Sequence, residues 1–375
     1  MAFRGHVDSC QQWHVAGWAA DSKGNPAHVI IHVNGRVVTS AAERVPRPDL
    51  AAHGISEQGG FSFVFEQPLD VTERVEVLLP DGSHLTGSPC TSHQARLREL
   101  LDEIRPEMRG LEVGPLDRPI LSKAKYSVSY VDHATREELI AKYKASATPE
   151  TLASERIAPV DIVWAPGRTL ADCVPPGVKY DYCLASHVVE HIADPIRWLQ
   201  QIALVLKDGG IVSLAVPDKE RTFDHLRAVT RPADLIDAYV RQITRPSPRQ
   251  VFDHITSVSE IGLEARPASP ALIREAFAHA LGVHHSERYL DVHCHVFTQA
   301  SFFEVFEIVA HTGILPFKLR RFYPTRTGAN EFIVSLQKCS AQPEEIAETY
   351  RRTDGNIVGR LKAHVAALNP LARRR

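Results

Sequence analysis

Two short stretches of this 375-residue chain carry side chains of the kind that move protons or bind cations. One is Ser186-His187-Val188-Val189-Glu190-His191; the other is Asp291-Val292-His293-Cys294-His295-Val296-Phe297. If the second is a strand, His293 and His295 share one face. Imidazole titrates near neutrality and is suited to taking a proton from a hydroxyl. Two such histidines with Asp291 or another ligand could instead hold a metal. The third alternative is architectural, with the histidines closing hydrogen bonds between an inserted segment and a sheet. In the first stretch His187 is expected to line a pocket. Glu190 and His191 begin the following helix, where Glu suits the helix dipole and His packs at a junction, so their expected role is mainly architectural.

The elements that position these groups follow from the flanking sequence. Residues 181–219 parse as a buried strand, the polar junction, an amphipathic helix, a Gly-Gly stop and a second buried strand. Asp194 is a good N-cap, and Pro195 is tolerated at the first helical position. Ile196, Leu199, Ile202, Ala203 and Leu206 recur at helical spacing, Lys207 falls in the last turn, and Gly209-Gly210 ends the helix. Residues 211–216 are nearly all apolar, as in a strand covered on both faces. In open α/β sheets ligands bind at the carboxyl ends of the strands, where Ser186 and His187 stand.

This order of strand, Ser-His-Val-hydrophobic-Glu-His, helix and Gly-Gly turn resembles the fourth and fifth strand region of class I S-adenosylmethionine-dependent methyltransferases, in particular a bacterial branch with that signature. The resemblance implies an α/β fold: a Rossmann-like, seven-stranded sheet binding S-adenosyl-L-methionine. It also implies where the cofactor sits. Gly110-Leu111-Glu112-Val113-Gly114-Pro115 stands where the family's first strand and glycine loop belong, so Glu112, Gly114 and the adjoining Pro115 are its expected contacts. The later glycines of that loop are replaced by Pro115, Leu116 and Asp117. Asp132 ends the strand 126–131, where a carboxylate accepts two hydrogen bonds from vicinal ribose hydroxyls; the alternative is a cap for the helix 134–141. Ser186 and His187 complete the expected cofactor contacts, residues 161–164 the third strand, and 165–170 a loop lining the adenine.

Length predicts about two domains. Residues 1–90 read as a small all-β sandwich, with Asn34-Gly35 between strands 29–33 and 36–40, Pro80-Asp81-Gly82 between 75–79 and 83–86, and further strands at 15–20 and 61–65. Its Gly5-His6-Val7-Asp8, Val15-Ala16-Gly17-Trp18-Ala19, Arg47-Pro48-Asp49-Leu50 and Gly59-Gly60-Phe61 motifs are similar to β domains appended to bacterial surface-polysaccharide enzymes. There Trp13 and Trp18 either stack on sugar rings or fill the module's core. Residues 91–108 form a helical joint, with Leu97, Leu100, Leu101 and Ile104 on one face. The methyltransferase domain spans 109–340, with a helical insertion at about 218–297 covering the donor. Core elements resume with a helix at 301–311 and strands at 317–323 and 331–337. Residues 341–375 are a helical tail with a basic tip, either solvated or touching phosphate or anionic lipid.

The expected activity is O-methylation of a sugar or surface-glycan precursor, with His293, His295 and His187 as catalytic candidates. The alternatives are a non-catalytic binding or assembly protein in polysaccharide synthesis, or a small-metabolite methyltransferase. A net charge of −2 points to no nucleic acid. Six scattered cysteines without a CxxC pair fit reduced thiols and no zinc site. No signal-peptide core and no apolar run near ~20 residues is present, so a cytoplasmic protein is expected. Phosphate-cradling loops and serine-hydrolase elbows are absent as well.

Overall fold

The computed structural model describes residues 3–40, 42–69, 73–91, 94–146, 157–258, 268–286, 289–326 and 329–351. The chain divides into two units, Met1–Tyr130 with Thr135–Val160, and Val131–Ala134 with Asp161–Arg375.

The first unit opens with β1 (Phe3–Cys10), β2 (His14–Asp21), β3 (Ile30–Val33), β4 (Arg36–Thr39), β5 (Glu43–Val45), β6 (Gly60–Val64), β7 (Arg74–Leu78) and β8 (Cys90–Thr91). They form two four-stranded sheets, ordered β1-β2-β6-β5 and β4-β3-β7-β8. Asn34 and Gly35 have φ of 51° and 76°, the two positive values a type I′ hairpin turn requires. Val15, Ala19 and Phe61 from one sheet meet Ile31, Val75 and Val77 from the other in a buried core. This is the expected sandwich, with one correction: residues 83–86 form no strand, only isolated bridges from His84 to Leu78 and from Thr86 to His6. The helical joint is shorter than expected, with α1 at Gln94–Leu100; Leu97, Leu100, Leu101 and Ile104 are all buried nonetheless. Next come β9 (Arg109–Val113), β10 (Ser127–Asp132) and α2 (Arg136–Ser146).

The second unit adds β11 (Ile162–Val163), α3 (Leu170–Cys173), β12 (Tyr180–Ser186), α4 (Pro195–Val205) and β13 (Leu206–Pro217). After these come α5 (Pro232–Arg241), α6 (Pro248–Ser257), α7 (Pro270–His285), α8 (Gln299–Ala310), β14 (Phe317–Tyr323), β15 (Glu331–Lys338) and α9 (Pro343–Tyr350). The large sheet has seven strands in the order β11-β10-β9-β12-β13-β15-β14. β12 and β13 are parallel, while β15 runs antiparallel to both β13 and β14.

Register explains what meets at the sheet edge. Ser186 pairs with Ala215 and Pro217 pairs with Glu331. The carboxyl ends of β12 and β13 therefore lie beside the first residue of β15. The expected end of α4 is corrected: the helix stops at Val205, and Leu206 already pairs with Tyr180. Tyr182 then pairs with Ile211, so residues 207–210 bulge opposite Asp181 alone, and Gly209 absorbs the bend with φ of 75°. Lys207 thus belongs to the bulge, where its ammonium donates to Asp181 at 2.6 Å.

Among its described residues the insertion has three helices, α5 to α7, each with Pro in its first turn, where the missing N–H is not needed. Its two ends are joined by a parallel bridge between Asp218 and Phe297. Residues 291–296 are irregular and not a strand, so the shared face expected for His293 and His295 does not form. Of the C-terminal tail, α9 is seen; the basic tip lies outside the described residues.

Candidate active site

In the first unit, β9 ends at Val113 and the chain turns at once. Gly114 has φ of 66° and Leu116 of 48°, both in the left-handed region that favours glycine. A leucine held there is strained by about 1 kcal/mol. Pro115 between them is buried. Glu112 is buried, and its carboxylate accepts backbone N–H bonds from Ile120 (2.6 Å) and Leu121 (3.0 Å). Burial pushes its pKa up to about 7 against the lowering effect of those bonds. Glu112 thus shapes the loop that Gly114 begins. Trp13, one of the candidate sugar-stacking residues, donates its indole N–H to Pro119 in that loop at 3.2 Å. Trp18 packs on Ala20, Leu50 and Ile55.

In the second unit, Asp132 ends β10 as a buried residue. His133 engages Oδ1 through its backbone N–H and its ring, each at 2.7 Å. Beyond β11, Trp164 stacks on Trp198 of α4, with ring centroids 6.4 Å apart and planes within 10°.

At the end of β12 the backbone turns sharply. His187 has φ of 54°, a left-handed conformation that His adopts more readily than a branched residue does. Its Nε2 lies 2.7 Å from Oε2 of Glu331, the contact that the β13–β15 register predicts. Its Nδ1 lies 3.6 Å from Oε1 of Glu190. With its side chain 35% exposed, His187 is the most accessible member of the group.

The insertion delivers the rest. His293 Nδ1 lies 2.5 Å from Asp224 Oδ2, and its ring meets His191 edge-on at 4.6 Å. Asp224 is buried, which raises its pKa, but the bonds from His293 and Arg227 outweigh this and hold it below the usual range. The buried guanidinium of Arg227 donates to Asp224 at 2.8 Å, to Asp253 at 2.7 Å and to the carbonyl of His293 at 2.9 Å. His254 accepts the backbone N–H of His293 at 3.3 Å; burial, then the nearby Arg227 charge, push its pKa down to about 4. His191 Nδ1 lies 2.9 Å from Asp291.

His295 goes elsewhere. It is buried, with Nε2 3.2 Å from the Ala193 carbonyl and Nδ1 3.4 Å from the Thr230 hydroxyl. Burial pushes its pKa down to about 4. With Nε2 donating to a carbonyl, this imidazole joins insertion to sheet edge, which is the architectural alternative. Of the catalytic candidates, the fold therefore gathers His187 and His293 around Glu190 and His191 and leaves His295 outside. His254 belongs to the histidine-rich run of the insertion, which the sequence itself shows. Sequence reasoning missed Asp224, Arg227 and Glu331 as supporting groups; of these Glu331 carried a signal, as an acidic residue opening an apolar strand.

Residues 91–307 match the sequence model of a family described as a methyltransferase domain. The chain belongs to that family. It is an S-adenosylmethionine-dependent methyltransferase, with S-adenosylmethionine as its cofactor. Among solved structures, it is similar to an S-adenosylmethionine-dependent methyltransferase from Mesorhizobium loti, at 15% identity over 66% of this chain and 97% of that one, with a TM-score of 0.32. A putative enzyme of the same kind from Listeria monocytogenes shows 15% identity over 65% and 96%, with a TM-score of 0.33. The CcbJ methyltransferase from Streptomyces caelestis shows 12% identity over 65% and 90%, with a TM-score of 0.35. No curated protein matches the chain.

Proposed function

We propose that this methyltransferase O-methylates a sugar or surface-glycan precursor, and that His187 takes the proton from the acceptor hydroxyl. The observation that carries the reading is the His187–Glu331 pair at the carboxyl edge of β12. Glu331 holds Nε2 of the imidazole, leaving Nδ1 to accept, which is the orientation a general base needs. His293, paired with Asp224, supports the same site from the insertion. The choice of a sugar rests on the resemblance of the N-terminal module.

The residues present fit S-adenosylmethionine. Gly114 presents backbone without a side chain in a positive-φ turn, and Asp132 places its carboxylate at the end of its strand. In this reading Glu112, Gly114 and Pro115 hold the methionine end, Asp132 the ribose, and Ser186 the pocket wall. When bound, the cofactor supplies the electrophilic methyl group. The protein's own part is to orient the acceptor, to remove its proton and to exclude water under the insertion. The working division remains a β module at 1–90, a joint at 91–108 and a methyltransferase domain at 109–340. No described helix is long and apolar enough to cross a membrane, and all six cysteines are free thiols, which supports a reducing, cytoplasmic setting.

The test is formation of S-adenosylhomocysteine with a panel of sugars, glycan precursors and small metabolites. A sugar hydroxyl should be methylated, and His187→Gln should lower kcat by about 10²–10⁴-fold with little change in acceptor KM. Turnover confined to non-sugar acceptors, or a fully active variant, would contradict the reading.

A further inference from the structure

Glu190 presents a buried carboxylate: its side chain is 2% exposed, and neither oxygen has a hydrogen-bond partner among the described residues. The closest imidazole nitrogens, His187 Nδ1 at 3.6 Å and His191 Nε2 at 3.9 Å from Oε1, are too far for hydrogen bonds. A buried carboxylate in such a place is unfavourable unless something supplies positive charge.

The neighbouring histidines are arranged to provide more than bulk. Ligand atoms of Glu190, His191 and His293 all lie within 4.8 Å of one another. Bonds of about 2.0–2.2 Å at tetrahedral angles put the ligand atoms of one ion about 3.3–3.6 Å apart, so the set draws together by about an ångström when an ion binds. His293 is anchored through its other nitrogen, Nδ1, on Asp224 at 2.5 Å, while His191 Nδ1 lies 2.9 Å from Asp291 as an ion-pair contact. Metal-binding histidines are oriented in this way, the second ring nitrogen donating to a carboxylate. Asp224 is fixed in turn by Arg227. The backbone N–H groups of Cys294 and His295 donate to the Glu190 carbonyl at 2.7 and 3.0 Å, locking the two ligand-bearing segments together.

We infer that Glu190, His191 and His293 bind one divalent transition-metal cation, and that this cation receives the acceptor's oxygen. Two imidazoles and one carboxylate suit zinc, iron or cobalt rather than the all-oxygen sites of calcium or magnesium. Three protein ligands leave a position open for the acceptor. The metal site stands on its own geometry; its task of receiving the acceptor rests on the O-methylation reading.

The experiment is titration of chelator-treated full-length protein with Zn²⁺ and with Co²⁺, followed by calorimetry and, for Co²⁺, by visible absorption. Wild type should bind one equivalent. Glu190→Gln and His293→Ala should bind at least 100-fold more weakly, while His285→Ala, on the exposed end of α7, should match wild type. If the buried variants fail to fold, His191→Gln and thermal melts decide: Zn²⁺ should raise the Tm of wild type and leave that of His191→Gln unmoved. No one-to-one binding by folded wild type, or full binding by folded Glu190→Gln or His191→Gln, would overturn the site. Metal binding at Glu190 without methylation of any hydroxyl would keep the site and remove the O-methylation reading. Turnover by stripped enzyme that is indifferent to both Zn²⁺ and Glu190→Gln would overturn the cation's role.

Discussion

Glu112 and His295 are buried titratable groups whose effects on stability run in opposite directions. Folding raises Glu112 from 4.5 to about 7, so its contribution is complete below pH 4.5 and lost as pH rises towards 7. His295 and His254 drop from 6.5 to about 4, so theirs is complete above pH 6.5 and lost as pH falls towards 4. Across the shared window the slopes oppose, each group being worth about 1.4 kcal/mol per pH unit at most. Glu112→Gln removes the opposing slope, so urea unfolding of that variant should lose stability on acidification more steeply than wild type does. Parallel pH profiles would contradict the assignment. At this scale, residue type and spacing pointed to His187 and His293 but not to their carboxylates. Glu331 lies 144 residues from His187, and Asp224 lies 69 from His293, separations that no local pattern encodes. Glu190 and His191 were expected as mainly architectural; only their facing across the insertion sets them in one cluster.

At the scale of elements, local rules were legible where they act locally. Asp194 caps α4 by accepting the N–H of Arg197 at 3.0 Å and pairs with its guanidinium at 3.2 Å. Asp194→Ala should cost about 1–2 kcal/mol, read as a lower urea midpoint; an unchanged midpoint would show the cap to be idle. The last two strands, β14 and β15, fall where the sequence placed them. The misses have a common cause in pairing. Leu206 looks helical by spacing but is taken by Tyr180 across the sheet, and β5 exists because Arg44 and Val45 pair with Phe61 and Gly60. The 291–296 segment alternates like a strand but bridges the sheet only at Phe297, which sends His293 and His295 to different neighbours.

At the scale of the whole chain, part of the N-terminal motifs serves the module's own structure. Arg47 joins Asp8 at 2.5 Å to Asp49 at 2.7 Å, and Cys10 and Cys90, far apart in sequence, pack against the same core. These contacts give Asp8, Arg47 and Asp49 a structural role, and the acceptor is found by assay. The claim on which the rest depends is that a chain with one glycine in its cofactor loop still holds S-adenosylmethionine at Gly114 and Asp132. Calorimetry with S-adenosylmethionine and S-adenosylhomocysteine tests it directly. Wild type should bind each at one site, and Gly114→Val and Asp132→Ala should each weaken binding at least tenfold while remaining folded. Folded wild type that binds neither, as a non-catalytic assembly protein would, or affinity unchanged in both variants, would contradict the account.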